Sequence, residues 1–482
     1  MRYIAADFGA GSGRIIVGSV SGNQLQLEEI HRFPNRQIKL NNSLYWDFLS
    51  LMQELKNGLS IAFKKYDDIV SIAIDTWGVD FGLLDANGKL LGNPYCYRDT
   101  RTDGILNEAF KKTDKETIYS IAGIQFMEIN SAFQLLSMQL SNDAQLNAAK
   151  DLLFMPDLFA YFLTGVKKNE YTIASTSNLL DAHTKQWSSA LIQSLHIRED
   201  LFQEIIHPGT IIGTLTQDIC EELNGYPINV VAVGAHDTAC AAAITYNPEV
   251  ETAFLSSGTW SLIGLHLEHP ILTKEAMLSD LTNEGGIGNK ITYLKNITGL
   301  WMLQKTISEW ESQSFDTDYA MLLKKAGEAK AFSAIIDTDD KRFSNPDSMI
   351  DAIKDYCRDS GQAVPHEQGQ IVRIILESLA IKYKEAIAQI ESTTTTKIEQ
   401  LQIVGGGCQN DLLNQFTADA TALPVIAGPV EATAIGNILT QALANGEIKN
   451  TGALREVIDN SFSLKKYQPQ NTAAWNQFEN QL

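Results

Sequence analysis

The chain has 482 residues, 44% hydrophobic and 20% charged, with 58 acidic against 38 basic side chains and a formal net charge of −20. That length exceeds what one hydrophobic core normally supports and predicts two domains of roughly 200 to 250 residues. The negative field repels phosphate backbones and anionic lipid, so neither nucleic acid nor a membrane is an expected partner; a nucleotide site, which needs only a few local donors, is not excluded.

Five scattered cysteines without a Cys-x-x-Cys pair predict neither a disulfide framework nor a zinc site and favour a reducing compartment. No signal peptide fits before the opening strand at Tyr3, and no apolar run is long enough to span a bilayer. The expected location is cytoplasmic.

The first strand ends in Asp7, followed by Gly9-Ala10-Gly11-Ser12-Gly13-Arg14. A dinucleotide fingerprint or a Walker loop would lead from its glycines into a helix. Here the loop runs into Ile15-Ile16-Val17, which is β-branched and extended, and the acid precedes the glycines. An acid at a strand end, a Gly/Ser hairpin and a second strand form the arrangement of actin- and hexokinase-type nucleotide sites. In such a site glycine amides approach phosphate closely and Asp7 stands on the Mg²⁺ side. A plain hairpin turn is the competing reading.

Ile69 to Ile74 predicts a buried strand, and its end, Asp75-Thr76-Trp77-Gly78-Val79-Asp80, is crowded with polar residues. Trp77 reads either as a face for a sugar to stack on or as a core aromatic, and Gly78 permits close substrate approach. Asp85-Ala86-Asn87-Gly88 reads as a hairpin turn. Asn229 to Val233 predicts a strand, then Gly234-Ala235-His236-Asp237-Thr238 leads into a helical stretch ending at Ile244. Asp237 therefore lies at a strand-to-helix junction, either as a helix cap or as the base that orients an attacking hydroxyl.

Residues 252 to 267 repeat the strand–turn–strand pattern of residues 3 to 20, which with a boundary near 244 to 250 suggests two similar domains. Ser256-Ser257-Gly258-Thr259 is the matching turn. Val372, Ile375, Leu376, Leu379, Tyr383, Ile387 and Ile390 mark one face of a helix over about 370 to 390, and Ser392 to Thr396 reads as a surface turn. Leu401 to Val404 predicts a strand ending in Gly405-Gly406-Gly407, either a loop on which an adenosine ring packs or a tight strand–helix turn. After a strand over Pro424 to Ala427, Gly428 to Gly436 opens an Ala/Gly-rich helix suited to close packing.

Taken together, DFGAGSGR (7–14), IDTWGVDFGLLD (74–85), AHDTA (235–239), LSSGTWSL (255–262), NEGG (283–286), LKNITGLWMLQ (294–304), VGGGCQNDLLNQ (404–415) and GPVEATAIGN (428–437) resemble the FGGY family of carbohydrate kinases. The resemblance implies an α/β architecture of two actin/hexokinase-like (ribonuclease H-like) domains facing each other across a central cleft. Residues 1–245 would carry the sugar-binding residues and first phosphate loop, and 246–482 the second phosphate loop and adenosine loop.

It implies transfer of the γ-phosphoryl group of ATP, with Mg²⁺, to O1 of L-rhamnulose. L-fuculose, xylulose or glycerol are the alternative acceptors, and a chaperone-like ATPase is the alternative outside the kinases. By position Asp237 matches the proton acceptor, and Gly78, His236 and Thr238 match sugar contacts. Ala10, Gly11, Ser12, Gly13, Arg14, Thr259, Asn296, Gln304 and Gly406 match nucleotide contacts. The expected partners are the sugar and ATP, with the chain a monomer or homodimer.

Overall fold

The computed structural model describes residues 1–450 and 452–479. Contacts divide the chain into two compact units. The first comprises Met1–Tyr246 with two later returns, His266–Tyr293 and Ala432–Ser461. The second comprises Asn247–Leu265, Leu294–Glu431 and Phe462–Leu482. The two returns depend on packing between distant segments, which the linear pattern does not carry.

In the first unit a six-stranded sheet runs in the order Ile211–Thr214, Asn229–Val231, Ile69–Thr76, Arg2–Phe8, Ser12–Ser21, Gln24–Pro34. Arg2–Phe8 pairs antiparallel with Ser12–Ser21 and parallel with Ile69–Thr76. Parallel strands in an open sheet place polar loops at their C-terminal ends. The parallel register sets Asp7 directly beside Asp75. The amphipathic helix Phe48–Lys65, capped by Asp47 accepting from the Ser50 amide, buries Leu51, Leu55 and Leu59 against the sheet core.

The helix Ala432–Ala444 packs on the same unit through its small residues. A Cβ on Gly436 would stand 2.1 Å from the Cys240 carbonyl oxygen, so only glycine permits this approach to the helix Asp237–Ala243. Its buried Asn437 and Gln441 meet the Ile69–Thr76 strand in a polar ladder. Asn437 donates to Asp75 Oδ2 (2.6 Å), Gln441 donates to Asn437 Oδ1 (2.7 Å), and Ser71 donates to Gln441 Oε1 (2.7 Å). Positions four apart on a helix and alternate positions on a strand share a face, which lines the ladder up.

The second unit repeats the motif. Thr252–Ser257 pairs antiparallel with Trp260–Leu267 and parallel with Gln400–Val404, which is followed by Val425–Ala427 and Lys465–Tyr467. The long helix spans Gln368–Thr394, and every member of its expected apolar face is buried. It runs further than the expected turn at Ser392. The hydroxyls of Thr393 and Thr394 donate back to the Gln389 and Ile390 carbonyls, and Thr395 then ends the helix with φ 57°. Likewise the strand from Asn229 stops at Val231, short of Val233. Among the described residues no helix is long and apolar enough to cross a membrane.

Candidate active site

Within the first unit, the loop between Arg2–Phe8 and Ser12–Ser21 is a tight hairpin. The Gly9 amide donates to the Ser12 carbonyl (3.0 Å), and Asn35 closes it by donating from its side chain to Gly9 and from its backbone to Gly11. Gly13 lies against Phe33, where a Cβ would stand 2.3 Å from the ring, whereas a Cβ on Gly11 would meet nothing within 4 Å. Ala10 is partly buried, and Ser12 opens the second strand. Asp7 is buried and its carboxylate pairs with the Arg14 guanidinium.

Beside Asp7, Asp75 is fully buried. One of its oxygens accepts from Asn437 and the other, Oδ1, has no partner. Burial, and then the charge of Asp7, push its pKa well above the usual carboxylate range, with Asp237 adding to the effect. Asp75 thus feels the charges of both Asp7 and Asp237.

The junction that carries Asp237 is fixed from two sides. The Thr76 amide donates to the Ala235 carbonyl (2.9 Å), making a parallel bridge between Thr76 and His236. Glu170 Oε2 accepts from the amides of Thr172, Ile173 and Ala235, while Thr172 Oγ1 accepts from the His236 amide (3.2 Å). Burial pushes the Glu170 carboxyl up to about 7, against these hydrogen bonds.

Asp237 is the first residue of its helix. The capping position falls on His236, whose side chain makes no capping bond. The Asp237 carboxylate is one-third exposed, and the buried Thr238 hydroxyl donates to its Oδ1 (3.1 Å). His236 Nε2 lies 3.5 Å from the same oxygen, and Nδ1 lies 3.1 Å from Glu284 Oε2. Gly78 faces the imidazole: a Cβ there would reach 3.4 Å from Nε2.

Trp77 occupies the core. It is 5% exposed, its ring centroid is 4.1 Å from that of Trp46, and both indole N–H groups donate to Asp80 Oδ2. Asp80, also bonded by Gln134, is pushed up to about 6 by burial. Between Gly78 and Asp80 the chain makes a γ-turn in which Val79 has φ 66°. That is a strained state for a β-branched residue, costing about 1–3 kcal/mol. The Val79 amide donates to Thr176 Oγ1 and its carbonyl accepts from the Ser131 hydroxyl, at 3.1 and 2.5 Å.

Within the second unit, the Thr259 carbonyl accepts from the Gly299 and Trp301 amides, and the Thr259 hydroxyl donates to Gln304 Oε1 (3.2 Å). Asn296 lies half-buried on the strand Ile291–Thr298. The three successive glycines have separable reasons. Gly405 has φ 79°, a Cβ on Gly407 would stand 2.0 Å from Ser257 Oγ, and a Cβ on the exposed Gly406 would meet nothing within 4 Å. Burial pushes the neighbouring Cys408 thiol up to about 11, which suits a structural role.

Glu284, Glu170, Asp75 and Asp80 carry no role in the sequence reading, although two of the segments singled out there contain Glu284, Asp75 and Asp80. Only Asp75 carries a sequence signal, an acid in an otherwise largely apolar strand; Glu170 lies in the two-residue strand Asn169–Glu170, Glu284 in the polar strand Leu281–Gly285, and Asp80 between strands.

The fold is a two-domain α/β scaffold with a glycine-containing hairpin in each unit. The N-terminal domain model of the FGGY family of carbohydrate kinases matches residues 2–244, and its C-terminal domain model matches residues 253–445. The chain belongs to that family. It is 44% identical to a protein named rhamnulokinase from Bacteroides thetaiotaomicron, over 98% of this chain and 97% of the relative. A protein of the same name from Oceanobacillus iheyensis is 41% identical, over 96% and 97%. The crystal structure of a gluconate kinase from Lactobacillus acidophilus shares the fold with TM-score 0.83 at 15% identity, covering 100% of this chain and 96% of that one.

Proposed function

We propose that the chain phosphorylates L-rhamnulose at O1, converting it with ATP to L-rhamnulose 1-phosphate and ADP. The chemistry rests on one observation: a partly exposed carboxylate, Asp237, at the sheet edge beside Gly78 and His236. The choice of sugar rests on the near full-length relatives named rhamnulokinase.

Asp237 accepts the proton of the C1 hydroxyl as that oxygen attacks the γ-phosphorus and the bond to the ADP oxygen breaks. Gly78, His236 and Thr238 hold the sugar, with Trp77 supporting Gly78 from the core. Ala10, Gly11, Ser12, Gly13 and Arg14 bind phosphate. Thr259, Asn296, Gln304 and Gly406 contact the nucleotide, and the open space at Gly406 leaves that backbone accessible.

Mg²⁺ supplies charge neutralisation on the transferring phosphoryl group. Asp7 would hold it, and the buried, unpartnered Asp75 Oδ1 is a second oxygen that fits a cation or its water. Among the described residues no three His, Cys, Asp or Glu side chains cluster to hold a metal. This agrees with a cation carried mainly by phosphates and one or two carboxylates.

A coupled ADP-release assay tests the reading, with L-rhamnulose, L-fuculose, D- and L-xylulose, L-ribulose and glycerol as acceptors. L-rhamnulose is expected to lead. If another ketose leads, the substrate assignment falls, and if no acceptor stimulates ADP release, the kinase reading falls with it.

A further inference from the structure

His236 stands between two carboxylates. Glu284, in the strand Leu281–Gly285, places Oε2 3.1 Å from Nδ1, and Asp237 places Oδ1 3.5 Å from Nε2. The Glu284 side chain is 8% exposed and that of His236 11%, against 33% for Asp237. The row therefore runs from a buried acid, through the ring, to a carboxylate at the surface of the site.

The ring cannot turn freely. Its backbone amide is held by Thr172, its Nε2 edge faces the Gly78 backbone, and the strand bearing Glu284 is seated by Ser175 Oγ accepting from the Gly285 amide (2.7 Å). At Gly285 a Cβ would reach 2.7 Å from the Tyr171 ring, so the glycine lets this strand close on the helix Tyr171–Ser175.

We infer that Glu284 is a positioning residue: by accepting the Nδ1–H of His236 it turns the Nε2–H edge toward Gly78 and Asp237, where that edge donates to the sugar and holds the base in line. This rests on the kinase reading above and names a part of the same site. A neutral imidazole has one N–H, so with Nδ1–H committed to Glu284 its Nε2 lone pair would face the Asp237 carboxylate. An imidazolium offers a donor to each.

The titratable groups facing the ring are Glu284, Asp237 and, behind the junction, Glu170. Burial works against the charged ring, but these three carboxylates, Glu284 foremost, outweigh it and raise the histidine above its ordinary range. When the sugar proton moves to Asp237, the ring keeps its own protons, so the step adds no group and needs no further reactant.

The test combines sugar kinetics with ¹⁵N NMR of the histidines of the full chain, His236 being assigned by its absence in His236→Asn. In the unmodified protein His236 is expected to titrate above the ordinary histidine range. In Glu284→Gln its titration is expected to move at least one pH unit downward. The KM for L-rhamnulose should rise about tenfold while the KM for ATP stays within twofold. Glu284→Asp should restore part of both, and it serves as the second variant if the glutamine form is poorly folded.

An unmoved His236 titration in Glu284→Gln, or a sugar KM within twofold of the parent, overturns the inference. Because the NMR arm needs no turnover, failure of the assay with every sugar would count against the kinase reading, while an unmoved titration counts against Glu284 alone.

Discussion

The two units build the same motif, a β-hairpin followed by a parallel strand, and put different chemistry at its turn. In the first, charge gathers there. Asp7 pairs with Arg14, Asp75 lies beside it, and Asp237 follows the next parallel bridge. In the second the turn carries no charged side chain of its own: a Ser-Ser-Gly-Thr turn, the Ser261–Tyr383 hydroxyl pair at 2.7 Å, and three glycines. Burying a carboxylate costs several kcal/mol unless partners are supplied, whereas a glycine costs about 0.5–1 kcal/mol in chain entropy. The shared backbone shape thus carries reactive charge in one copy and close main-chain approach in the other. Substitutions should separate accordingly, into losses of turnover and losses of nucleotide affinity.

The largest effect should come from Asp237→Asn, which removes the base and keeps the shape. Turnover is expected to fall about 10²- to 10⁴-fold with the melting temperature nearly unchanged, since the side chain is one-third exposed. Steady-state assays beside thermal unfolding check it. A fall under tenfold would mean that the charged edge of the first unit is not where the proton goes.

Glu170→Gln probes the cost of burying charge there. The carboxyl is raised from 4.5 to about 7, so the native state holds a proton that the unfolded chain releases in that window. Its contribution is full below about pH 4.5 and is lost as the pH rises to about 7, by on the order of 3 kcal/mol. The variant should flatten that part of the stability–pH curve in urea titrations. Asp80, raised to about 6, keeps its own share of the slope. Next in size, Asn437→Leu takes the donor from Asp75 Oδ2 and should cost about 1–3 kcal/mol at pH 7, most of it recovered by adding Asp75→Asn.

Much of this frame is legible before any coordinates. The β-branched runs at Ile69 and Leu401 form strands because they are buried on both faces, and the glycine turns announce themselves because glycine is costly where nothing requires it. Asp237 is visible because an acid at a strand-to-helix junction is a short-range pattern. Glu170 and Glu284 are not, since each reaches the Ala235–Asp237 junction only through the packing of the helix Tyr171–Ser175 against the strand Leu281–Gly285. Trp77 shows the same limit. A tryptophan at a strand end has two readings, and only the Trp46 ring and Asp80 select the core. The return of Ala432–Ala444 to the first unit is likewise hidden, although its small residues predict that it packs closely on something.

The smallest effects sharpen the neutral side of the comparison, and adjacent glycines provide the control. Gly407→Ala drives a Cβ into Ser257, 2.0 Å from its Oγ and 3.0 Å from its carbonyl oxygen, and overpacking of this kind costs about 1–3 kcal/mol. Gly406→Ala meets nothing within 4 Å and has no positive φ to strain, so folding stability should be unchanged. If adenosine packs on this backbone, the added methyl intrudes only when nucleotide is bound, and the KM for ATP should rise several-fold while the KM for sugar holds. Equal ATP KM values for Gly406→Ala and the parent would show that the middle glycine faces solvent alone. The loop's three glycines would then be explained by Gly405 and Gly407, as a strand–helix turn rather than a nucleotide surface.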